Sequence, residues 1–207
     1  MTDQLEYRLL QQAQDGDADA FEQLQTRLES SIRRFIRRLI GLSDAEDDIV
    51  QNVFISLYYN IQRIDPVENL RPYLFRMVRN RCYDELRSQR RYETLSLDDE
   101  SDGARLSFTT ASDINSQPEE VAHWLLLHLE VKEAIDRLPE LQRQTLILFS
   151  EEELSYAEIA LVMETNIGTV KSRLHHAKKS LRRLLRPQTL QILEIEFEEG
   201  ASDATLR

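Results

Sequence analysis

The clearest chemical signal in the sequence is a run of basic residues near its carboxyl end. Residues 165–187 contain seven lysines and arginines, two histidines and no aspartate or glutamate. Such a run is typical of a surface that binds a polyanion, because each cationic side chain can approach a phosphate and displace a counterion. The alternative is a solvated helix face, although such a face usually mixes charges of both signs.

A helical projection of about 100° per residue divides this run into two faces. The apolar side chains share one side, which predicts the core stripe: Val170, Leu174, Ala177, Leu181, Leu184 and Leu185. The polar side chains point away from it or lie on its flanks: Lys171, Ser172, Arg173, His175, His176, Lys179, Arg182 and Arg183. The polar face therefore presents donors that can reach phosphates and base edges in a major groove. A metal site is not predicted, because adjacent histidines point about 100° apart and no third ligand is near.

A second basic segment, residues 71–92, holds seven arginines and two acidic residues. Steps of three and four residues align one polar stripe along a helix: Tyr73, Arg76, Asn80, Asp84, Arg87 and Arg91. An aromatic ring, an amide and guanidinium groups are the side chains that stack on and hydrogen-bond the bases of a single strand. An ordinary solvated face is the alternative.

The helix before that segment has apolar residues on its outer side. Asp48, Gln51, Ile55 and Tyr59 lie opposite its predicted core side. Isoleucine and tyrosine beside acids favour a protein-docking strip. Scattered surface apolar residues are the alternative.

The elements that position these faces are all predicted to be helices. Apolar residues at helical spacing, and only five glycines and five prolines in 207 residues, indicate an all-α chain. The predicted helices span residues 17–40, 43–63, 72–91, 119–138, 140–149, 155–163 and 167–185. In the first of these, helical spacing predicts one apolar stripe: Ala20, Leu24, Leu28, Ile32, Phe35, Ile36 and Leu39. Capping boxes are predicted at Ser43 with Glu46 and at Ser155 with Glu158. The last two helices, joined by a tight turn, describe a helix-turn-helix.

Composition divides the chain into two small helical domains, residues 1–92 and 119–186. Residues 93–118, rich in Ser, Thr and Asp, are predicted to be a flexible acidic linker. Residues 187–207 form an acidic tail, in which the alternation of residues 193–198 favours an extended segment over a helix; a frayed end is the alternative.

Several classes of protein are not predicted. No apolar run is long enough to span a membrane, and the amino-terminal residues do not resemble a signal peptide, so a soluble cytoplasmic protein is expected. The single cysteine, Cys82, is expected to pack in a core. No nucleophile–base pair, glycine-rich phosphate loop or metal-ligand set is present, so we expect no enzyme activity, cofactor or metal.

Two stretches carry a resemblance to a known family. Residues 20–91, with DAEDDIVQNVFISLY and RPYLFRMVRNRCYDELRSQRR, resemble the second conserved region of bacterial sigma factors of the sigma-70 family. The stretch AIDRLPELQRQTLILFSEEELSYAEIALVMETNIGTVKSRLHHAKKSLRRLL resembles the fourth. Possession of these two regions alone is similar to the extracytoplasmic-function (ECF) group, and the resemblance covers about 70% of the chain.

The resemblance implies three sets of binding residues and no catalytic ones. The −35 element would contact Thr169, Lys171, Ser172, Arg173, His175, His176, Lys179 and Arg183. The melted −10 strand, with a base turned into a pocket, would contact Asn69, Arg71, Tyr73, Arg76, Arg79, Asn80, Asp84 and Arg87. The clamp region of core RNA polymerase would contact Asp47, Asp48, Gln51, Asn52, Ile55 and Tyr59. Core RNA polymerase, promoter DNA and an anti-sigma factor are the implied partners, without insertion in a membrane.

Two other functions are compatible with parts of the sequence. A helix-turn-helix regulator that acts without polymerase would explain residues 119–186, and a decoy could retain the fold and sequester an anti-sigma factor. The chain also departs from the family at Glu164, where the turn usually has glycine, and at His176, where arginine is common. A left-handed backbone at Glu164 would cost about 1 kcal/mol.

Overall fold

The computed structural model describes residues 2–95 and 118–192, with side chains for residues 4–89 and 124–192. The helices are α1 (Thr2–Gln14), α2 (Ala18–Ile40), α3 (Glu46–Asn60), α4 (Leu70–Leu95), α5 (Pro118–Asp136), α6 (Glu140–Ser150), α7 (Tyr156–Val162) and α8 (Ile167–Leu184). Short 3₁₀ turns at Ile61–Arg63 and Val67–Asn69 connect α3 to α4, and residues 187–192 add a further helical turn. The all-α prediction is confirmed over the described ranges. Residues 96–117 and 193–207, which include most of the predicted linker and the alternating part of the tail, lie outside them.

Contacts group the described residues into two compact units. The first contains the described residues of Met1–Phe108 together with Ile147–Ile167, and the second those of Thr109–Leu146 and Gly168–Arg207.

Helix α2 is central to the core of the first unit. Its predicted apolar stripe is confirmed, since the following residues are buried: Ala20, Leu24, Leu28, Ile32, Phe35, Ile36 and Leu39. The helix packs against α1, α3 and α4. The Phe35 ring meets the Phe75 ring of α4 edge to face, with centroids 5.2 Å apart, a favourable aromatic geometry.

The predicted capping box at the start of α3 is wrong. Ala45 is the N-cap residue and makes no side-chain capping bond. The Glu46 carboxylate instead accepts hydrogen bonds from Arg37 Nε at 2.7 Å and Arg33 Nη1 at 3.0 Å, both on α2. Burial alone would raise the pKa of Glu46, but these guanidinium groups outweigh burial and lower it. Hydrogen bonds to these two charged guanidinium groups are stronger than the one bond that the capping box would have given the Glu46 carboxylate, from the Ser43 backbone N–H.

Helix α4 is longer than predicted and carries its core on one side. Leu74, Phe75, Val78 and Cys82 are buried, and Leu86 is half-buried. Burial raises the pKa of the Cys82 thiol to about 12, as expected for a cysteine that serves as packing.

Helix α1 has no counterpart among the predicted helices. Its buried residues Glu6, Leu9 and Leu10 face the unit's core at helical spacing. The Gln14 amide at its end donates hydrogen bonds to the Ile61 and Ile64 carbonyl oxygens at 2.9 and 3.0 Å. Helix α1 therefore fixes the connection that leads into α4.

In the second unit, a cluster of polar contacts, called here the polar latch, joins α5 to the residues just after α8. The Glu130 carboxylate on α5 accepts hydrogen bonds from Arg186 and, at 2.9 Å, from the Thr189 hydroxyl. The Arg186 backbone N–H also donates to Glu130, at 2.7 Å. The latch ties the residues just after α8 to α5.

Candidate nucleic-acid interface

Helix α8 buries one face and exposes the opposite one. Val170, Leu174, Ala177 and Leu181 are buried at steps of four, three and four residues, and Leu185 is buried just beyond the helix. Leu184, which the projection placed with them, is instead 39% exposed. The buried stripe fixes which side of the helix faces solvent.

The exposed side of α8 carries the polar residues that the helical spacing placed there. The exposed residues are Lys171, Ser172, His175, His176, Lys179, Arg182 and Arg183, while Thr169 and Arg173 are half-buried. The two imidazole rings lie edge to face, with centroids 5.6 Å apart. The Arg173 Nη1 atom is buried without a hydrogen-bond partner. The face is therefore a set of donors, with no carboxylate anywhere in α8.

Local chemistry fixes the start of α7 and the turn that leads into α8. The predicted capping box of α7 is confirmed: the Ser155 hydroxyl accepts from the Glu158 N–H, and the Glu158 carboxylate accepts from the Ser155 N–H at 2.8 Å. After α7, the Thr165 N–H donates to the Ala160 carbonyl at 3.0 Å and the Glu164 N–H to the Leu161 carbonyl at 3.4 Å. These two bonds form a Schellman motif, which needs a left-handed residue at Glu164.

Glu164 adopts that left-handed conformation, with φ of +49°. Glycine would take it without a steric penalty, whereas glutamate pays about 1 kcal/mol. The helix-turn-helix turn is thus formed in the ordinary way despite the departure noted in the sequence.

The polar stripe of α4 is only partly open to solvent. Asn80, Asp84 and Arg87 are exposed, while Tyr73 and Arg76 are half-buried. The Arg76 guanidinium carbon lies 5.7 Å from the centre of the Tyr73 ring, within the range of a cation–π contact. Arg91, at the end of the predicted stripe, lies outside the described side chains.

Three other predicted −10 residues have partners within the protein. Arg71 donates to the buried Glu6 carboxylate at 2.9 and 3.0 Å. Arg79 lies over the Tyr83 ring at 4.8 Å, and the Asn69 amide donates to the Asp65 carbonyl at 3.4 Å. The structure thus gives Arg71 a role in the fold that the sequence did not reveal, because Glu6 is 65 residues away.

The outer side of α3 presents the predicted docking strip. Asp48, Gln51, Asn52, Ile55 and Tyr59 are exposed, with Tyr59 79% and Ile55 46% accessible. Asp47 accepts a hydrogen bond from Arg33 at 2.6 Å, at the edge of the strip. Tyr58, also exposed, was not predicted; its ring lies between the rings of Phe21 and Tyr59. Aromatic and aliphatic side chains in solvent form a surface suited to a protein partner.

Two further observations bear on the chemistry. Within residues 2–95 and 118–192, no group of three or more metal-ligating side chains is found. In the same residues, no helix is both long and apolar enough to cross a bilayer.

Comparisons with known proteins match both segments. The family description "Sigma-70 region 2" matches residues 24–92, and "Sigma-70, region 4" matches residues 128–181. The ECF RNA polymerase sigma factor EcfG of Rhodopseudomonas palustris is 34% identical, over 75% of this chain and 79% of that protein. The ECF RNA polymerase sigma factor SigW of Bacillus subtilis is 30% identical, over 86% and 95%. The fold is similar to that of the sigma factor RpoE of Bartonella quintana, solved with the anti-sigma factor NepR: TM-score 0.62, 24% identity, 79% of this chain and 95% of that one.

Proposed function

The chain belongs to the ECF RNA polymerase sigma factors of the sigma-70 family, and from this membership we propose which of its residues carry out each part of promoter recognition. As a sigma factor it binds core RNA polymerase and directs transcription initiation at promoters. The observation that supports the assignment is that two different polar helix faces, on α4 and α8, lie in the two segments that match regions 2 and 4.

Helix α8 reads the −35 element in the major groove, which is wide enough to admit one helix. Lys171, Lys179, Arg182 and Arg183 contact phosphates, while Ser172 and Arg173 reach base edges. Replacing Ser172 by alanine then changes the preference among −35 sequences by about 1–3 kcal/mol. Lys179→Ala weakens all sequences about equally, because a flexible ammonium mostly meets phosphate. Equal losses for Ser172→Ala on every −35 variant would contradict this division.

The stripe of α4 holds the melted −10 strand. The Tyr73 ring offers a stacking surface, and Arg76 beside it adds a cation, the combination used to bind unpaired bases. Asn80 and Arg87 are exposed one and three turns further along α4. They continue this binding face towards the sugar-phosphate backbone of the strand. A base flipped from the duplex costs a few kcal/mol, which stacking and hydrogen bonds along this face offset.

The strip on α3 docks on the polymerase clamp through Ile55 and Tyr59, with Asp48 and Gln51 around them. An apolar centre with a polar rim is the usual composition of such an interface. We also propose that the chain acts in the cytoplasm without catalysing a reaction of its own, and that an anti-sigma factor regulates it. The last proposal rests on the RpoE fold relative, which was solved with such a partner.

The test is co-purification with core RNA polymerase, followed by transcription initiation from a library of bacterial promoter fragments. Asp48→Lys combined with Ile55→Arg should abolish co-purification at a cost in stability of only about 0.5 kcal/mol, since both side chains are exposed. Leu141→Arg, at another exposed aliphatic residue, on α6, is the matched control and should bind as the parent does. Retention of polymerase by the double variant would place the docking surface elsewhere. Polymerase binding without initiation at any promoter would contradict the function itself.

A further inference from the structure

The exposed face of α8 carries two histidines among its permanent cations. His175 and His176 are both exposed, and their rings lie edge to face with centroids 5.6 Å apart. Histidine is the side chain that ordinarily changes its charge between about pH 5 and 8. The charge of this face therefore depends on pH, in a range where every lysine and arginine stays protonated.

Helical spacing places His175 between two of the proposed phosphate contacts. Lys171 is four residues before it and Lys179 is four residues after it, so the three side chains form one ridge on the helix. Successive members of this ridge are about 6 Å apart along the helix axis. When the two lysines lie against the sugar-phosphate backbone, the histidine between them lies against it too.

His176 lies on the neighbouring ridge. Ser172, which is proposed to reach a base edge, is four residues before it, and Arg183, which is proposed to contact a phosphate, is seven residues after it. His176 therefore stands where the contacts to bases give way to the contacts to phosphates.

The charged groups that face the two imidazole rings are cations of α8 itself, because the buried stripe turns the opposite side of the helix towards the rest of the unit. The charged residues three or four positions from either histidine are Lys171, Arg173, Lys178 and Lys179. Helix α8 contains no carboxylate that could pair with an imidazolium. A phosphate of bound DNA is therefore the anion that the two rings meet on this face.

Protonation changes what an imidazole offers to a phosphate. The neutral ring has one N–H donor and one acceptor nitrogen, whereas the imidazolium has two donors and a positive charge. Phosphate oxygens only accept hydrogen bonds, and bonds between charged groups are about twice as strong as neutral ones. Two imidazolium rings with centroids 5.6 Å apart also repel each other, and a phosphate beside them offsets this repulsion. DNA binding and proton uptake are therefore coupled.

We propose that His175 and His176 take up protons when α8 binds the −35 element, so that promoter binding strengthens as pH falls from about 8 to about 6. The inference rests on the proposed function of α8, since the coupling exists only if this face meets DNA. Coupling between two ligands is reciprocal, so a proton that DNA binding recruits must in turn favour DNA binding. Above about pH 8 both rings are neutral, and this gain in affinity is lost.

The size of the effect follows from counterion release. Each neutralised phosphate adds about −0.9 to the slope of log K against log salt, so one imidazolium contact strengthens binding about eightfold at about 0.1 M salt relative to 1 M. Two such contacts give about 60-fold when both rings are fully protonated. The slope contributed by α8 should also steepen, from about −3.6 with its four permanent cations to about −5.4 with six charges.

The measurement is fluorescence anisotropy of a labelled duplex that carries the −35 element of a fragment at which the holoenzyme initiates. Reconstituted holoenzyme is titrated at about pH 5.5 and about pH 8.5. Core polymerase has titratable groups of its own, so the quantity tested is the affinity of the parent divided by that of the variant with His175→Gln and His176→Gln. This ratio should be close to 1 at the higher pH and about 50 at the lower one, where protonation is nearly complete.

Two further variants serve as controls. Replacing both histidines by arginine fixes the positive charge at every pH, so this variant should bind tightly at both pH values. His128→Gln removes an exposed histidine of α5, whose Nδ1 atom lies 3.2 Å from the Trp124 carbonyl oxygen, and should bind as the parent does. Far-UV circular dichroism at both pH values confirms that each variant is folded.

An affinity ratio that does not change with pH would overturn the inference. So would a ratio that falls at low pH, since neutral rings would then be the ones that contact DNA. In either case a weaker affinity of Lys179→Ala still shows that α8 lies against DNA, so the proposed function stands. If neither Lys179→Ala nor the double glutamine variant weakens duplex binding at any pH, the function proposed for α8 fails, and the inference fails with it.

Discussion

Replacing Lys179 by alanine should change how promoter binding depends on salt. Helix α8 exposes four cations that can reach phosphates: Lys171, Lys179, Arg182 and Arg183. Arg186 is not counted, because Glu130 holds it through three hydrogen bonds. Each neutralised phosphate adds about −0.9 to the slope of log K against log salt, so α8 contributes about −3.6. Between about 50 and 200 mM salt this contribution weakens binding about 150-fold.

The Lys179→Ala variant removes one of these four contacts. Its slope should be shallower by about 0.9, and the salt-dependent loss through α8 should fall to about 40-fold. The measurement is fluorescence anisotropy of a labelled −35 duplex titrated with reconstituted holoenzyme at several salt concentrations. Core polymerase also contacts DNA, so the difference between two slopes measured on the same duplex is the quantity that tests the assignment.

The control is Arg137→Ala, at an exposed arginine between α5 and α6. It should keep the parental slope, because it removes the same charge outside α8. A Lys179→Ala slope equal to that of the parent would mean that this ammonium does not lie against a phosphate. Tight binding by the free chain that ignores salt would refute the wider reasoning, since the acidic remainder of a chain with net charge −11 should repel DNA.

Three further predictions concern stability. Arg71→Ala leaves the buried Glu6 carboxylate without its cation and should cost about 3–5 kcal/mol in urea unfolding, whereas a change below about 0.5 kcal/mol would mean that the pair contributes little to the fold. Glu164→Gly should stabilise the chain by up to about 0.5 kcal/mol, the relief of left-handed strain less the entropy of glycine, and Glu164→Ala, which keeps the strain, should not. The hydrogen bonds from Arg186 lower the pKa of Glu130 from 4.5 to about 2, so its contribution should be complete above pH 4.5 and lost as pH falls towards 2; unfolding midpoints of the parent and Glu130→Gln should differ at pH 6 and converge at low pH.

Local patterns predicted most of the helices, because helical periodicity and capping chemistry are encoded within a few residues. The core stripe of α2 and the capping box of α7 depend on neighbours at most four positions away along the chain, and both are confirmed. The start of α4 was misplaced by two residues, since the preceding 3₁₀ turn leads directly into the helix. Errors of this size are usual at helix ends, where several conformations compete.

What the sequence could not predict are pairings across large separations. Glu46 was assigned to a cap because Ser43 is three residues before it, yet Arg33 and Arg37 of another helix take its carboxylate. Arg71 was assigned to the −10 strand by the resemblance to region 2, and its ion pair with Glu6 of the unpredicted α1 was not foreseen. In both cases the hydrogen-bond partner of the side chain is a charged group on another helix. Only the tertiary fold brings the two groups together, so local spacing along the chain could not predict the pair.

The partners of the arginines explain how a chain with net charge −11 can still recognise DNA. Arginines of the first unit, such as Arg71 and Arg37, are bound by buried or half-buried carboxylates and hold helices together. On α8 the exposed cations, Lys179 and Arg183 among them, share their helix with no acid at all. The net charge of −11 therefore reflects mainly the excess of acidic residues over the whole chain. DNA binding depends instead on where the cationic side chains face solvent.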